Sequence, residues 1–585
     1  MSAADPLGGS AKTAAPGAAH VARPWLSSEP LVPDSPLRIP MDADLRSIQQ
    51  ARDLLQRAHA AQKQFATASQ EQVDRIVDAM CEAGAGEAMR LGQLAHDETG
   101  FGKPESKREK NLFATRTLHE RMRGMKTAGV IEKSEDGKIW KVATPMGVVA
   151  ALIPSTNPTA TAMYKAIISA KARCGIVMSP HPRAKNCTAE ALRVVAEAAY
   201  AAGAPEGLFG CMTEVTLEGT NEILEHKHTD VILATGGGAM VRAAYSKGKP
   251  AYGVGSGNVP AYVDRSANLA KAAADILTGT SFDWGTLCST ERSVVADLPI
   301  RDKLKKELQQ RGGHFCSDAE TAKLRKTVAP DGRHLNVDIV GQSPKRIAEM
   351  AGFSVPDGTK ALIAEVDAVG REEPLSMETL APVLSFYVAD GWQAGCETCI
   401  EILHFGGIGH TLAVHAESQH VIERFALEKP SMRIVVNTVA ALGSVGLTTA
   451  LFPAMTLGPG TIGGSITSDN ISPMHLLNVK RLAFETAPLN SPQGEPLAAS
   501  KPSGRSAPRP TPSARRPASQ IASNGGKSWM DEIEARLRDR AGSSPVSSAS
   551  AGGDGSPAKP PEKPSASVLP MPDAQIDKLV QRFKK

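Results

Sequence analysis

The stretch GVVAALIP, Gly147–Pro154, is an unbroken apolar run. A strand buried on one face alternates apolar with polar residues; one buried on both faces does not. The run therefore needs cover on each side, and the sequence after it supplies that cover. A polar turn, Ser155-Thr156-Asn157, leads into PTATAMYKAIISAKA, which reads as a helix with Pro158 in its first position, where an amide hydrogen is not required. The unit then repeats. GIVMSP is the next strand and TAEALRVVAEAAYAAG the next helix; DVILATGGG, Asp230–Gly238, passes from strand into a glycine turn, and AMVRAAYSKG is the helix after it. Strands alternating with helices of this length predict an α/β fold with a parallel, doubly wound sheet. Ligands of such sheets bind beyond the carboxyl ends of the strands, near helix N-termini. Asn157 and Gly236 to Gly238 lie at such ends.

At 585 residues the chain exceeds what one core can organise, so more than one domain is expected. Residues 1–41, rich in Ala, Pro and Gly, read as a disordered extension, residues 42–486 as the globular part, and residues 487–585 as a Pro/Ser-rich disordered tail. Lys plus Arg number 66 against 62 Asp plus Glu, a balance that offers no footprint for nucleic acid. The N-terminus lacks the charged-then-apolar order of a secretory signal. The longest membrane-span candidate, Val445 to Ile462, is broken by Pro453, Gly458, Pro459 and Gly460. A soluble cytoplasmic protein, not a membrane protein, is expected. Eight cysteines in so long a chain suit a reducing compartment. Cys396 and Cys399 form a lone C-x-x-C without a second pair or nearby histidines, so spaced core thiols are expected there and no metal site.

Two tail segments carry helical patterns. Residues 528–541 have Ser528 followed by Asp531 in a capping pattern, with Ile533 and Leu537 one turn apart. Residues 573–585 set Ile576, Leu579, Val580 and Phe583 at i, i+3, i+4 and i+7, an apolar stripe beside Asp577, Lys578, Arg582 and Lys584. Helices this short are marginal alone in water. The stripe packs on its own subunit or, the favoured reading, folds into a partner's groove; resting on a membrane surface is the weaker idea.

The remaining signal is SFDWGTLCST, Ser281–Thr290. Cys288 there is either one more buried thiol or a nucleophile. Gly285 and Thr286 favour the second, because a tight turn brings the thiol and its own N–H to a cleft. A donor aimed at the oxygen of a tetrahedral adduct contributes about 3 kcal/mol. Asn157 is a candidate for that donor; its alternative is a turn residue bonding locally.

PSTNPTATAMYKAIISAKARCGIVMSPHPRA, ILATGGGAMVRAAYSKGKPAYGVGSGN, SFDWGTLCSTE and TLGPGTIGGSITSDNISPMHLLNVKR resemble the CoA-acylating branch of the aldehyde dehydrogenase superfamily. That branch holds acetaldehyde and propionaldehyde dehydrogenases and the N-terminal half of bifunctional aldehyde-alcohol dehydrogenases. The resemblance implies an NAD-binding domain over residues 42–253 with an oligomerisation hairpin at about 129–149, a catalytic domain over 254–436, and a return segment over 437–486. It implies that Cys288 attacks the aldehyde, that Asn157 and the Cys288 N–H hold the oxyanion, and that hydride leaves to NAD, giving a Cys288 thioester. Ile153 and Ser155, then Ser179, Pro180 and His181, then Thr235, Gly236 and Gly237 match segments lining the dinucleotide. Glu378 matches the carboxylate on the nicotinamide ribose; otherwise it is a loop residue like Glu372 and Glu373. None of these turns carries G-x-G-x-x-G, which the family also lacks.

Hydrolytic relatives place a general base in an ELGG-like segment. The matching stretch here is YGVGSGN, with Gly253 at that position, so the thioester is expected to await coenzyme A, bound in an overlapping site, in a ping-pong cycle. The alternatives are a hydrolytic dehydrogenase giving a carboxylate and a non-catalytic cargo or scaffold protein. Small residues around Cys288 suit a short aliphatic aldehyde. His410, His415 and Cys316 receive no role. The tail holds nothing matching an iron-dependent alcohol dehydrogenase domain, so a stand-alone enzyme is expected. Its terminal stripe resembles encapsulation peptides that load enzymes into bacterial microcompartments, implying shell-protein partners and a lumenal location. DGKIWKVATPMGVV, Asp136–Val149, alternates like a hairpin; in the family a comparable hairpin carries dimer and tetramer contacts, so a homo-oligomer is expected.

Overall fold

A computed structural model describes residues 42–495. The N-terminal extension and both tail segments, with Ile576, Leu579, Val580 and Phe583, lie outside the described residues.

After a run of helices over residues 43–122, the chain builds an antiparallel hairpin from β1 (Gly129–Lys133) and β2 (Ile139–Pro145). Asp136 stands in its turn, where its carboxylate accepts from Ser134 Oγ at 2.5 Å and from the Lys138 N–H at 3.0 Å. The alternation read over Asp136–Val149 therefore covers only one arm. Its last residues belong to another sheet, because Gly147, at φ 132°, redirects the chain where a Cβ would stand 2.0 Å from Asp230 Oδ2.

That second sheet is β3 (Val148–Ile153), β4 (Gly175–Pro180), β5 (Phe209–Cys211), β6 (Val231–Thr235) and β7 (Ala251–Val254), parallel in the order β5-β4-β3-β6-β7. The apolar run is its central strand. Val149, Ala151 and Ile153 pack into one core while Val148, Ala150 and Leu152 pack into another on the opposite face. This is why the run does not alternate. The helix Pro158–Lys171 is buried along its whole length.

The third sheet contains β8 (Val259–Val263), β9 (Glu291–Asp297), β10 (Gly313–Phe315), β11 (Ala361–Glu365), β12 (Val383–Ala389), β13 (Leu412–His415) and β14 (Ile434–Val436), in the order β10-β11-β12-β9-β8-β13-β14. Its strands pair in parallel, again between two cores: Val294 and Ala296 face one, Val295 the other. Finally β15 (Leu477–Ala483) returns to pair with β2, completing a three-stranded sheet.

One connection places the site. Gly255 to Asn258 join the carboxyl end of β7 directly to the amino end of β8, with no helix between. The carboxyl edge of the five-stranded sheet is thereby brought to the amino edge of the seven-stranded one.

Candidate active site

Cys288 stands just before β9, on a turn with consecutive left-handed residues: Asp283 (φ 48°), Trp284 (φ 50°) and Gly285 (φ 74°). Such a conformation costs a residue with a Cβ about 1–2 kcal/mol, and here two elements hold it. From above, the buried Asp283 carboxylate accepts from the Lys103 N–H at 2.7 Å, Thr286 Oγ1 at 2.6 Å, Lys107 Nζ at 3.2 Å and Lys110 Nζ. Burial alone would raise that carboxyl, but Lys110 and Lys107 hold it below its ordinary value. From below, buried Arg292 donates to the carbonyls of Gly285 at 2.5 Å, Leu287 at 3.2 Å and Ala381 at 3.1 Å. Ser289, Thr290 and Glu291 are fully buried, whereas Cys288 keeps partial exposure.

Asn157 precedes the helix Pro158–Lys171 just beyond the carboxyl end of β3; its side chain makes no capping bond to that helix and reaches across to this turn instead. Its Nδ2 donates to the Thr286 carbonyl at 3.2 Å and to Thr156 Oγ1 at 3.1 Å, while Oδ1 accepts from Lys110 Nζ at 2.5 Å. The structure thus brings Asn157 to the Cys288 turn. Glu378, on the loop before β12, accepts the Gly257 N–H at 3.0 Å. Burial raises its carboxyl, with Arg292 and the Gly257 N–H opposing. Burial, with the Glu378 charge adding, pushes the Cys288 thiol up to about 12 against the pull of Arg433 and Arg292. In this state the thiol is protonated at neutral pH.

The glycine facing Cys288 differs from the one expected. A Cβ on Gly253 would stand 2.6 Å from Val241 Cγ1 and 2.8 Å from the Tyr245 hydroxyl, so that position looks into the helix Gly238–Tyr245 and not toward the sulfur. Gly257 faces the site: a Cβ there would stand 2.1 Å from the Cys288 carbonyl oxygen and 3.1 Å from the His410 ring. Within this stretch it is Gly257, not Gly253, that packs against the Cys288 backbone.

The expected nucleotide segments gather on one edge. Ile153, Pro180 and Thr235 end the adjacent strands β3, β4 and β6, and the His181 N–H donates to the Ile153 carbonyl at 2.9 Å. Ser155 begins the turn after β3. Two hydroxyls turn inward, Ser179 pairing with Thr220 at 2.8 Å and Thr235 with Thr456 at 2.9 Å. Gly236 and Gly237 border open space, and the helix Gly238–Tyr245 has no side-chain cap. Unclaimed N–H groups at a helix start beside bare glycines fit an anionic diphosphate. Beneath this edge, fully buried Lys165 donates to the carbonyls of Leu152 at 2.8 Å and Leu233 at 2.9 Å, tying β3 to β6.

Residues without an expected role complete the other edge. His410, before β13, is buried and pulled down to about 3 by burial and Arg433, so it is neutral; its Nε2 has no partner among the described residues. Arg433, before β14, donates to the Ser468 carbonyl at 3.0 Å, while Nε and Nη2 are unpartnered among the described residues. No sequence signal isolates Lys107, Lys110, Arg292 or Arg433, since each sits among ordinary surface or strand residues. A cavity of about 90 Å³ reaches the turn, lined by Lys110, Phe113, Phe282, Leu287, Leu442 and Met455 among others. Cys396 and Cys399 are buried on the helix Gly391–Phe405, and among the described residues no group of side chains is arranged to hold a metal ion.

Comparison with known proteins accounts for this arrangement. A model of the aldehyde dehydrogenase family matches residues 41–316. The chain is 39% identical over 435 residues to the bifunctional aldehyde-alcohol dehydrogenase AdhE of Escherichia coli, across 74% of this chain and 49% of that protein. It spans about half the length of the first curated relatives it matches. The crystal structure of an acetylating aldehyde dehydrogenase from Geobacillus thermoglucosidasius is 47% identical, with a TM-score of 0.76, covering 77% of this chain and 100% of that one. A propionaldehyde dehydrogenase from the fucose utilisation bacterial microcompartment of Clostridium phytofermentans is 25% identical at a TM-score of 0.68, covering 74% and 97%. With a partly exposed cysteine on a turn that Asn157 bonds from the end of β3, and acetylating enzymes among its relatives, the chain belongs to the aldehyde dehydrogenase family of oxidoreductases.

Proposed function

We propose that this chain oxidises a short aliphatic aldehyde to its acyl-CoA with NAD, through a thioester on Cys288. The observation carrying the reading is the packing of the Cys288 turn: fixed polar groups serve it, and the residue lying against the Cys288 carbonyl from the β7–β8 connection is Gly257, which has no side chain. In the proposed cycle the Cys288 sulfur bonds to the aldehyde carbon, and the oxygen gains negative charge opposite the Asn157 amide and the Cys288 N–H. A nicotinamide cofactor would supply the hydride acceptor; the open edge at Ile153, Ser155, Ser179 to His181 and Thr235 to Gly237 would hold it, and Glu378 would meet its ribose. Hydride loss leaves the thioester, which the CoA thiol then cleaves. The largely apolar wall of the small cavity supports a short, uncharged alkyl chain.

Glu378 supports the rival hydrolytic reading, because it is a carboxylate electrostatically coupled to Cys288. Its bond to the Gly257 N–H favours a binding role. Product analysis with and without CoA separates the two. Acyl-CoA should form with CoA present and carboxylate only slowly without it; rapid CoA-independent carboxylate formation would end the acyl-transfer reading.

We further propose that the apolar stripe of residues 573–585 docks the enzyme to microcompartment shell proteins in the cytoplasm, and that the sheet of β1, β2 and β15 serves a homo-oligomer. The stripe's spacing and the microcompartment relative support the first. Deleting residues 566–585 should leave turnover intact and release the enzyme from purified compartments; full retention would count against docking.

A further inference from the structure

Lys107 and Lys110, one turn apart on the helix Pro104–Leu112, are 2% and 4% exposed, and both reach the carboxylate of Asp283, which is itself fully buried. A structural ion pair needs one cation per carboxylate. A second buried ammonium carries a desolvation cost of several kcal/mol unless something else uses its charge. Lys107 is placed to hold the turn, 3.2 Å from Asp283 Oδ2 and 3.4 Å from the Thr156 carbonyl. Lys110 goes further, reaching Asn157 Oδ1 at 2.5 Å and Thr286 Oγ1 at 3.2 Å. An ammonium only donates, so Asn157 must offer it the carbonyl oxygen, and the NH2 group is thereby turned toward the Cys288 turn. A charged donor on Oδ1 also draws electron density from the amide and strengthens its N–H groups.

We propose that Lys110 is a positioning residue for the oxyanion, fixing the Asn157 amide and polarising it. This rests on the roles given to Cys288 and Asn157 above. As Sγ bonds to the aldehyde carbon and the thiol proton leaves to solvent, the carbonyl π pair moves to oxygen, and the Asn157 N–H that donates to the Thr286 carbonyl turns to meet it. Departure of hydride to the cofactor restores the C=O as a thioester. Lys110 keeps its protons throughout and acts only through the amide.

The test is a double-mutant cycle on the full chain, read by the single-turnover burst of NADH with propionaldehyde. K110Q should slow the burst roughly 10- to 100-fold, a fraction of what a whole oxyanion donor supplies, with KM for aldehyde changed less than about threefold. K110R should recover most of the rate, and alkylation of Cys288 by iodoacetamide should stay within about threefold of wild type, since alkylation forms no oxyanion. In an N157A background, adding K110Q should change the burst less than about threefold. An undiminished cost of K110Q in N157A, or a wild-type burst in K110Q, overturns the proposal. If K110Q does not fold, the wild-type burst carries the same information. Burial pulls the Lys110 ammonium down to about 8 against Asp283, so the rise of the burst with thiolate formation should flatten above that pH, and the flattening should be absent in N157A. A flattening retained in N157A overturns the proposal. Because hydride transfer precedes thioester cleavage, formation of carboxylate in place of acyl-CoA would defeat the proposed function while leaving the Lys110 comparison readable.

Discussion

The two parallel sheets offer opposite edges to the same cleft. The five-stranded sheet presents the carboxyl ends of β3, β4 and β6, where a helix begins uncapped beside Gly236 and Gly237. The seven-stranded sheet presents its amino ends, where Cys288 precedes β9, Glu378 precedes β12, His410 precedes β13 and Arg433 precedes β14. The first edge offers backbone, the second side chains held in loops. The rule that ligands gather at carboxyl ends therefore describes half of this site. At an amino end no helix begins, so each charged group must be fixed one by one, as Arg292 and Asp283 do for the Cys288 turn.

The largest effect that tests this division is removal of the sulfur. C288A should lower aldehyde oxidation by roughly 10⁴-fold or more and abolish the acyl adduct seen by intact-mass spectrometry; unchanged turnover would revive a scaffold role. Next comes a paired substitution in the connection between the sheets. In G257A the added methyl meets the Cys288 carbonyl oxygen at 2.1 Å, and a displaced nucleophile should cost on the order of 10²-fold in kcat. G253A, whose methyl meets Val241 and Tyr245, should instead lose about 1–3 kcal/mol of stability with kcat per folded molecule kept. Equal losses of kcat would erase the distinction between the two glycines. The thiol gives a pH signature: raised to about 12 by burial and Glu378, it loses its proton only at high pH. Iodoacetamide alkylation in the absence of nucleotide should thus climb about tenfold per pH unit from 7 to 9, and a plateau near 7 would contradict it. The smallest effect is expected from E378Q, a rise of about tenfold in KM for the nucleotide with a lesser fall in kcat.

The backbone-built edge was legible in the sequence, while most of the side-chain edge was not. GVVAALIP, its turn and its helix are contiguous, and their period and length declare them. Cys288 stood out through its glycine turn and its likeness to a family. Its supports did not. Lys107 and Lys110 sit in SKREKN, which reads as a solvated face; only the buried Asp283, far along the chain, shows that the lysines point inward. The left-handed turn was hidden because Asp283 and Trp284 are not glycines. Alternation misplaced one hairpin arm, since the pattern runs on through Pro145 into a strand of another sheet. A local match of glycines chose Gly253, where facing direction selects Gly257.

The short peptide from Gly255 to Asn258 also governs how the cleft can move. Among the described residues the chain crosses between the two parallel sheets there and again over residues 437–476, so any rocking of one sheet against the other falls on those two stretches, the first of which contains Gly255 and Gly257. The same peptide touches the Cys288 carbonyl and holds Glu378. A shift of that peptide therefore carries the Cys288 backbone and the Glu378 carboxylate with it, so strain at the joint between the sheets reaches both residues at once.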